Sequence, residues 1–381
     1  MGRFGVLGVC LLVLVTQVAL SVAFEGCRIS FGRRGCYHRV LQGVLVTCDG
    51  RGHETLVPQN IPLDTIYLSL VNFKFDTLKR TNFSRFIAVE CLTIVDSGVS
   101  ALDADTFADL EKLREIVLHG TELTSRHLAF INHETFRADL VTIAKSKHMK
   151  KLTFNATPAL RDLKTLDFSG NGLEEVNASI FTELRNLETL DLSENQLRTL
   201  NWHRLQELTK LNKLMLKGNR FQTVPRVMHS VMFAVKELTL SDNPLHCNCK
   251  LRWMKEFFAA SVDKVTDYDN IECASPMNKM MTSVNIGDFV CEHPSAPSIH
   301  WSRLADDRYA VNCSSVGDPA PTLTLVFHDS QKVVIPPSDD LSQTETRTPH
   351  VITAGGPVTC HAKNSEGVAS TVWDIPLPGT W

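Results

Sequence analysis

The stretch LETLDLSENQLRTL, residues 187–200, places apolar side chains at Leu187, Leu190, Leu192, Leu197 and Leu200 and an asparagine at Asn195. The same spacing precedes it in LKTLDFSGNGLEEV, residues 163–176, and follows it in LNKLMLKGNRFQTV, residues 211–224, with a step of 24 residues each time. Backward steps give Val89, Leu92, Ile94, Ser97 and Val99; then Leu113, Ile116, Leu118, Thr121 and Leu123; then a degenerate copy at Ala138, Val141, Ile143 and Ser146. One forward step gives Val235, Leu238, Leu240 and Asn243, and Leu63, Ile66 and Leu68 make a plausible first copy. A fixed period of this length marks a solenoid, because one copy cannot bury its own apolar face and must stack on its neighbours.

The pattern is that of a leucine-rich repeat, with eight copies at 24 to 26 residues. Each copy predicts one short strand whose two flanking apolar side chains enter a shared core, so the strands form a parallel sheet on the concave side of a horseshoe. At about 4.8 Å per strand, eight copies span roughly 35 to 40 Å. Asn171, Asn195, Asn219 and Asn243 fall where the chain leaves the strand, and a side-chain amide there can satisfy turn backbone in its own and the adjoining coil. Phe107 and Phe181 are read as convex-side core. The residue between the two inward positions faces the concavity, giving the candidate ligand-contact row Tyr67, Thr93, Val117, Thr142, Asp167, Asp191, Met215 and Thr239.

Residues 1–23 have a positive charge at Arg3, an apolar run from Val6 to Val15 and small residues at Ser21 and Ala23, the layout of a secretory signal peptide cleaved after Ala23. Eleven cysteines are present, and loss of Cys10 with the leader leaves an even ten for disulfides in an oxidising compartment. No second apolar stretch of membrane-spanning length follows, so the reading is a secreted chain or the outer part of a longer one. With 39 basic against 42 acidic residues, no broad field favours nucleic acid. No nucleophile motif appears, so neither enzyme activity nor a cofactor is expected.

The segment NPLHCNCKLRWMKEFF, with Cys247, Cys249, Cys273 and Cys291, resembles the C-terminal flanking cap of extracellular leucine-rich-repeat proteins. That resemblance implies pairing of Cys247 with Cys273 and Cys249 with Cys291. Leu251, Met254 and Phe258 recur at helical spacing, which predicts a short amphipathic helix over the last coil. A metal reading of the CxC beside His246 is disfavoured, since zinc ligands are usually spaced C-x2-4-C and thiols oxidise here. At the N-terminal end, resemblance to the four-cysteine flanking cap pairs Cys36 with Cys48. Cys91 is then the candidate partner for Cys27, with a free or intermolecular thiol as the alternative.

Beyond Pro294 the repeat stops. Cys313 and Cys360, GDPAP at residues 317–321 and the C-x-A-x-N-x-x-G motif at Cys360, Ala362, Asn364 and Gly367 resemble an immunoglobulin-like sandwich of the intermediate set. Phe327 stands where a core tryptophan is expected and Val358 where a corner tyrosine is expected, and Trp301 and Trp373 are read as core or edge packing. Asn82, Asn155, Asn177 and Asn312 open N-x-S/T sequons. The domains are thus expected at 1–23 (signal), 24–60 (N-terminal cysteine cap), 61–243 (repeats), 244–293 (C-terminal cysteine cap) and 294–381 (immunoglobulin-like). LTIVDSGVSALDADTF (residues 92–107), the cap, NCSSVGDPAP (312–321) and TCHAKNSEG (359–367) look like parts of a Trk neurotrophin receptor ectodomain. The layout implies recognition of a protein ligand or receptor, a second copy of the chain included, in signalling or adhesion at the outer cell surface or in secreted form. The alternative is a secreted innate-immune recogniser.

Overall fold

The computed structural model describes residues 26–36, 39–154, 157–260, 266–275, 279–304, 308–317, 320–329, 331–337, 345–352, 356–364 and 366–375. The expected leader and the Asn155 sequon lie outside these residues. A ten-stranded sheet runs through the repeat region. It starts with an antiparallel hairpin, β1 (Cys27–Cys36) and β2 (Arg39–Asp49). Parallel to β2 follow β3 (Thr65–Val71), β4 (Cys91–Val95), β5 (Glu115–His119), β6 (Leu140–Ala144), β7 (Thr165–Asp167), β8 (Thr189–Asp191), β9 (Lys213–Met215) and β10 (Glu237–Thr239).

The paired positions that define the repeat are fully buried, among them Leu92 with Ile94, Ile116 with Leu118, Val141 with Ile143, and Leu190 with Leu192. They belong to one continuous core that extends into the C-terminal cap. Phe107 and Phe181 are buried on the far side of the coils, and Phe83, Phe107, Phe130 and Phe136 form a chain of ring contacts with centroids 5.1 to 5.6 Å apart. The first copy departs from the sequence pattern by two residues. Strand register sets Leu68 against Leu92 and Leu70 against Ile94, so the inward pair is Leu68 and Leu70, not Ile66 and Leu68. The string TIYLSLV alternates over its whole length and fits either register; packing against β4 selects one.

A hydrogen-bond ladder ties the coils at their exits from the sheet. Asn195 accepts from the amides of Asn171 (3.1 Å) and Leu173 (2.9 Å) and donates to the carbonyls of Phe168 (2.9 Å) and Leu192 (3.0 Å). Asn219 and Asn243 repeat this, accepting from Leu197 and Phe221 and donating to Leu192 and Leu216 of the preceding coils. In the earlier copies hydroxyls do the work: Ser97 Oγ accepts from the Phe73 amide, and Thr121 and Ser146 share a 2.6 Å bond. The residue just before each ladder position has positive φ, from Asn72 and Asp96 through Gly120, Lys145, Gly170, Glu194 and Gly218 to Asp242. Every coil therefore leaves the sheet through the same left-handed turn, which glycine enters without strain and Lys145 and Glu194 do not.

Among the described residues the last coil has no following strand, whose carbonyl would accept from Leu240 as Thr239 accepts from the Leu216 amide. Asp267, reaching in from the cap, accepts from the amides of Leu240 (2.9 Å) and Ser241 (2.7 Å). The cap helix, Arg252–Ala260, buries Trp253, Met254, Phe257 and Phe258 against the final coils, and the Trp253 indole donates to the Val224 carbonyl at 3.2 Å. Each such side chain contributes about 2 kcal/mol by burial. Cys247 bonds Cys273 and Cys249 bonds Cys291.

At the N-terminal end the pairing differs from the expectation. Cys27 bonds Cys48, closing the hairpin at its base, where the β1–β2 register sets the two residues opposite one another. Cys48 is thereby unavailable to Cys36, and Cys27 to Cys91. Cys91 is itself disulfide-bonded, which removes the free-thiol alternative.

Beyond the cap lie two antiparallel sheets. One contains β11 (Ser298–Arg303), β12 (Tyr309–Val316) and β15 (Glu345–Ile352); the other contains β13 (Thr322–Val326), β14 (Lys332–Ile335), β16 (Gly356–Lys363) and β17 (Val368–Ile375), in the order β14-β13-β16-β17. The Cys313–Cys360 disulfide joins β12 to β16 across the two sheets, inside a core that includes Tyr309, Val311, Leu323, Leu325, Phe327 and Val358. Trp301 packs edge-on against Tyr309 at 5.8 Å, whereas Trp373 is 49% exposed.

Candidate concave recognition site

Strand register carries a single transverse line from Thr93 through Val117, Thr142, Asp167, Asp191 and Met215 to Thr239. Ser69 begins that line, opposite Thr93. Tyr67, assigned to it from sequence, lies one step earlier, opposite Cys91 and in line with Glu115, because the first copy is shifted by two residues.

The line is open only in part. Tyr67, Thr93, Val117 and Thr142 are 2 to 8% exposed, which leaves a ligand almost nothing to touch. At the N-terminal end Leu41 and Leu45 of the hairpin form a small buried cluster with Tyr67 and Cys91. Asp167, Asp191, Met215 and Thr239 are half-buried and present surface. Beside them Lys213 pairs with Glu237 at 2.6 Å and Lys217 with Asp242 at 3.2 Å, so the accessible part of the concave face carries charges of both signs.

Asp167 and Asp191 stand directly opposite on adjacent strands, two like side chains side by side. Each also accepts from the backbone two residues on: Asp167 from the Ser169 amide at 2.8 Å, Asp191 from the Ser193 amide at 2.9 Å and the Ser193 hydroxyl at 2.6 Å. For Asp191, burial pushes the carboxyl pKa up, opposed by the Ser193 hydrogen bonds and reinforced by Asp167 and Glu194. A carboxyl that protonates more readily folded than unfolded costs stability when ionised, and the cost fades as pH falls below the ordinary carboxylate range. Asp191→Asn is therefore expected to raise the melting temperature by about 2 °C at pH 7 and to be neutral near pH ~3. Paired calorimetric scans at the two pH values check this, and an equal shift at both would refute the electrostatic account.

Cys249, Cys291 and Glu366 bring possible ligand atoms together. The two sulfurs are bonded to one another, so they are not free to coordinate a metal. Among the described sequons, Asn82 lies within the short helix Arg80–Phe83 and Asn177 caps the turn Ala178–Phe181, both between strands of the concave sheet, and Asn312 lies exposed on β12.

Comparison with known proteins agrees with this geometry. The leucine-rich repeat family matches residues 161–221. That match falls within the parallel-strand array, whose last coil is followed by the two cap disulfides. Leucine-rich repeat and fibronectin type III domain-containing protein 1 of Danio rerio is 29% identical over 153 residues, 37% of this chain and 25% of that protein. The similarly named protein 4 of Homo sapiens is 36% identical over 103 residues, covering 25% of this chain and 15% of that protein. The match thus spans a quarter or less of these relatives' length. Among solved structures, human 5T4 (Wnt-activated inhibitory factor 1, trophoblast glycoprotein) superposes with a TM-score of 0.56 at 22% identity, over 65% of this chain and 95% of that one. That likeness concerns the fold alone. No described helix is long and apolar enough to cross a membrane.

Proposed function

We propose that the chain is an extracellular recognition module that binds a protein ligand on the accessible end of its concave face, around Asp167, Asp191, Met215 and Thr239. The observation that carries this reading is the contrast along one register line, buried from Thr93 to Thr142 and open from Asp167 onward. Carboxylates, a thioether and paired lysines within a few strands suit a protein surface with mixed polarity. Asn82 and Asn177, the described sequons of the repeat region, lie outside the strands that carry that surface, which favours docking there. The antiparallel strands after the cap form an immunoglobulin-like sandwich in this proposal, with Phe327 and Val358 filling the sites of the usual tryptophan and tyrosine. The strings shared with Trk ectodomains support a role as a receptor-type ectodomain on the cell surface or released from it.

The secreted, leader-free chain would be screened against a panel of cell-surface ectodomains and, in parallel, against glycans and bacterial cells. For a protein hit, the Asp167→Arg/Asp191→Arg double variant is expected to weaken binding at least tenfold, about 1.4 kcal/mol, while Asn177→Gln leaves it unchanged. Binding indifferent to the double variant would overturn the assigned surface. Hits confined to glycans and microbial cells would favour the secreted recogniser.

A further inference from the structure

Within the four-stranded sheet, β17 is paired with β16 on one side and forms the edge on the other among the described residues. An edge strand presents a row of unpaired backbone donors and acceptors, and natural edges are usually blunted by lysines, prolines, bulges or shortness. The β17 sequence VASTVWDI has none of these: eight residues long, in unbroken register with β16, with Asp374 as its one charge. Val368, Val372 and Trp373 on it are 61, 60 and 49% exposed. The occupant such an edge accepts is another extended strand.

We propose that this occupant is β17 of a second copy, aligned antiparallel about a two-fold axis at Thr371 so that two four-stranded sheets become one. An isologous contact of this kind needs self-complementarity, and the sequence supplies it. Residues opposed across such an axis face the same side of the sheet. Centring on Thr371 sets Trp373 against Ala369 and Val372 against Ser370, a large side chain against a small one at each step. On the outer face Asp374 comes opposite Val368 of the second copy, and Val368 is flanked on its other side by Lys363. The carboxylate and the ammonium group then share one transverse row, with Cα atoms about 10 Å apart, within reach of a lysine side chain. Moving the axis to Ser370 opposes Asp374 to Glu366, two like charges, and moving it to Val372 sets that valine against itself. The sequon at Asn312 lies on β12, in the other sheet, so a glycan there does not stand over this edge.

Sedimentation of the whole secreted chain at about 1 to 100 µM, spanning the range expected of a small interface, measures the association. A monomer–dimer equilibrium is expected. The Ser370→Lys/Val372→Lys double variant places like charges opposite one another on both sides of the axis and is expected to weaken self-association at least tenfold with an unchanged circular dichroism spectrum. Thr371→Cys puts one thiol beside its own copy and is expected to cross-link on oxidation, whereas Val368→Cys, opposed to Asp374, is not. A monomer throughout the concentration range, equal association of the lysine variant, or a dimer that Thr371→Cys fails to cross-link would each overturn the proposal; the cross-linking arm decides if the lysine variant does not fold.

Discussion

Replacing Asn195 by alanine is expected to destabilise the repeat array by about 3 kcal/mol, among the largest effects available to a single polar substitution in this protein. The asparagine is buried, and its side chain satisfies the amides of Asn171 and Leu173 and the carbonyls of Phe168 and Leu192. Truncation strands those groups where water does not reach, and each stranded group costs about 1 to 3 kcal/mol before relaxation. Because solenoid stability is a sum of coil and interface terms, the loss falls on the contact between two coils. Urea denaturation should therefore show a lower midpoint and, where the halves uncouple, a shallower slope. Asn186→Ala, which removes two exposed bonds, one donated to the Arg161 carbonyl and one accepted from the Lys210 ammonium, is the control and should stay within about 0.5 kcal/mol. A loss below about 1 kcal/mol for Asn195→Ala would mean that the turn reorganises and the ladder is not a stability element.

The second large effect is expected from the Cys313→Ala/Cys360→Ala double variant. The bond closes a sequence separation of 47 residues, which corresponds to about 4 kcal/mol of restricted unfolded-chain freedom. It also sits at the centre of a small core, eleven buried residues among those described, against the much larger continuous cluster of the solenoid. A core of that size has little reserve. Calorimetry should show the C-terminal strands melting below about 45 °C while the repeat transition stays in place. A single unshifted transition would show that the sandwich draws its stability from the solenoid rather than from its own bridge.

What could be read from the sequence was what the repeat imposes on every copy. Leu190 and Leu192, or Ile116 and Leu118, had to recur at fixed spacing because all coils share one core. The C-terminal cap was equally readable, since the CxC and the spacing of Leu251, Met254 and Phe258 are local signals. The N-terminal cap was not, because the Cys27–Cys48 bond follows from a hairpin register that no local motif announces. The two-residue shift of the first copy was hidden by uninterrupted alternation in TIYLSLV. The concave row followed from strand parity, but its accessibility did not. Parity places Thr93 and Val117 on the inner face and says nothing of what surrounds them there, and the cover over Tyr67 comes from Leu41 and Leu45, far upstream in the chain. Asp267 gave no signal at all, as an aspartate in DYDN reads as ordinary loop.

That aspartate links the chemistry of the cap to the integrity of the coils. Asp267 lies inside the loop closed by Cys247 and Cys273, and it alone among the described side chains accepts from the Leu240 and Ser241 amides. Sealing of the final coil is thus tied to the formation of a covalent bond in the cap. A chain whose last cysteines remain reduced holds that carboxylate on a loose tether and leaves the Leu240 and Ser241 amides of the final coil without their acceptor.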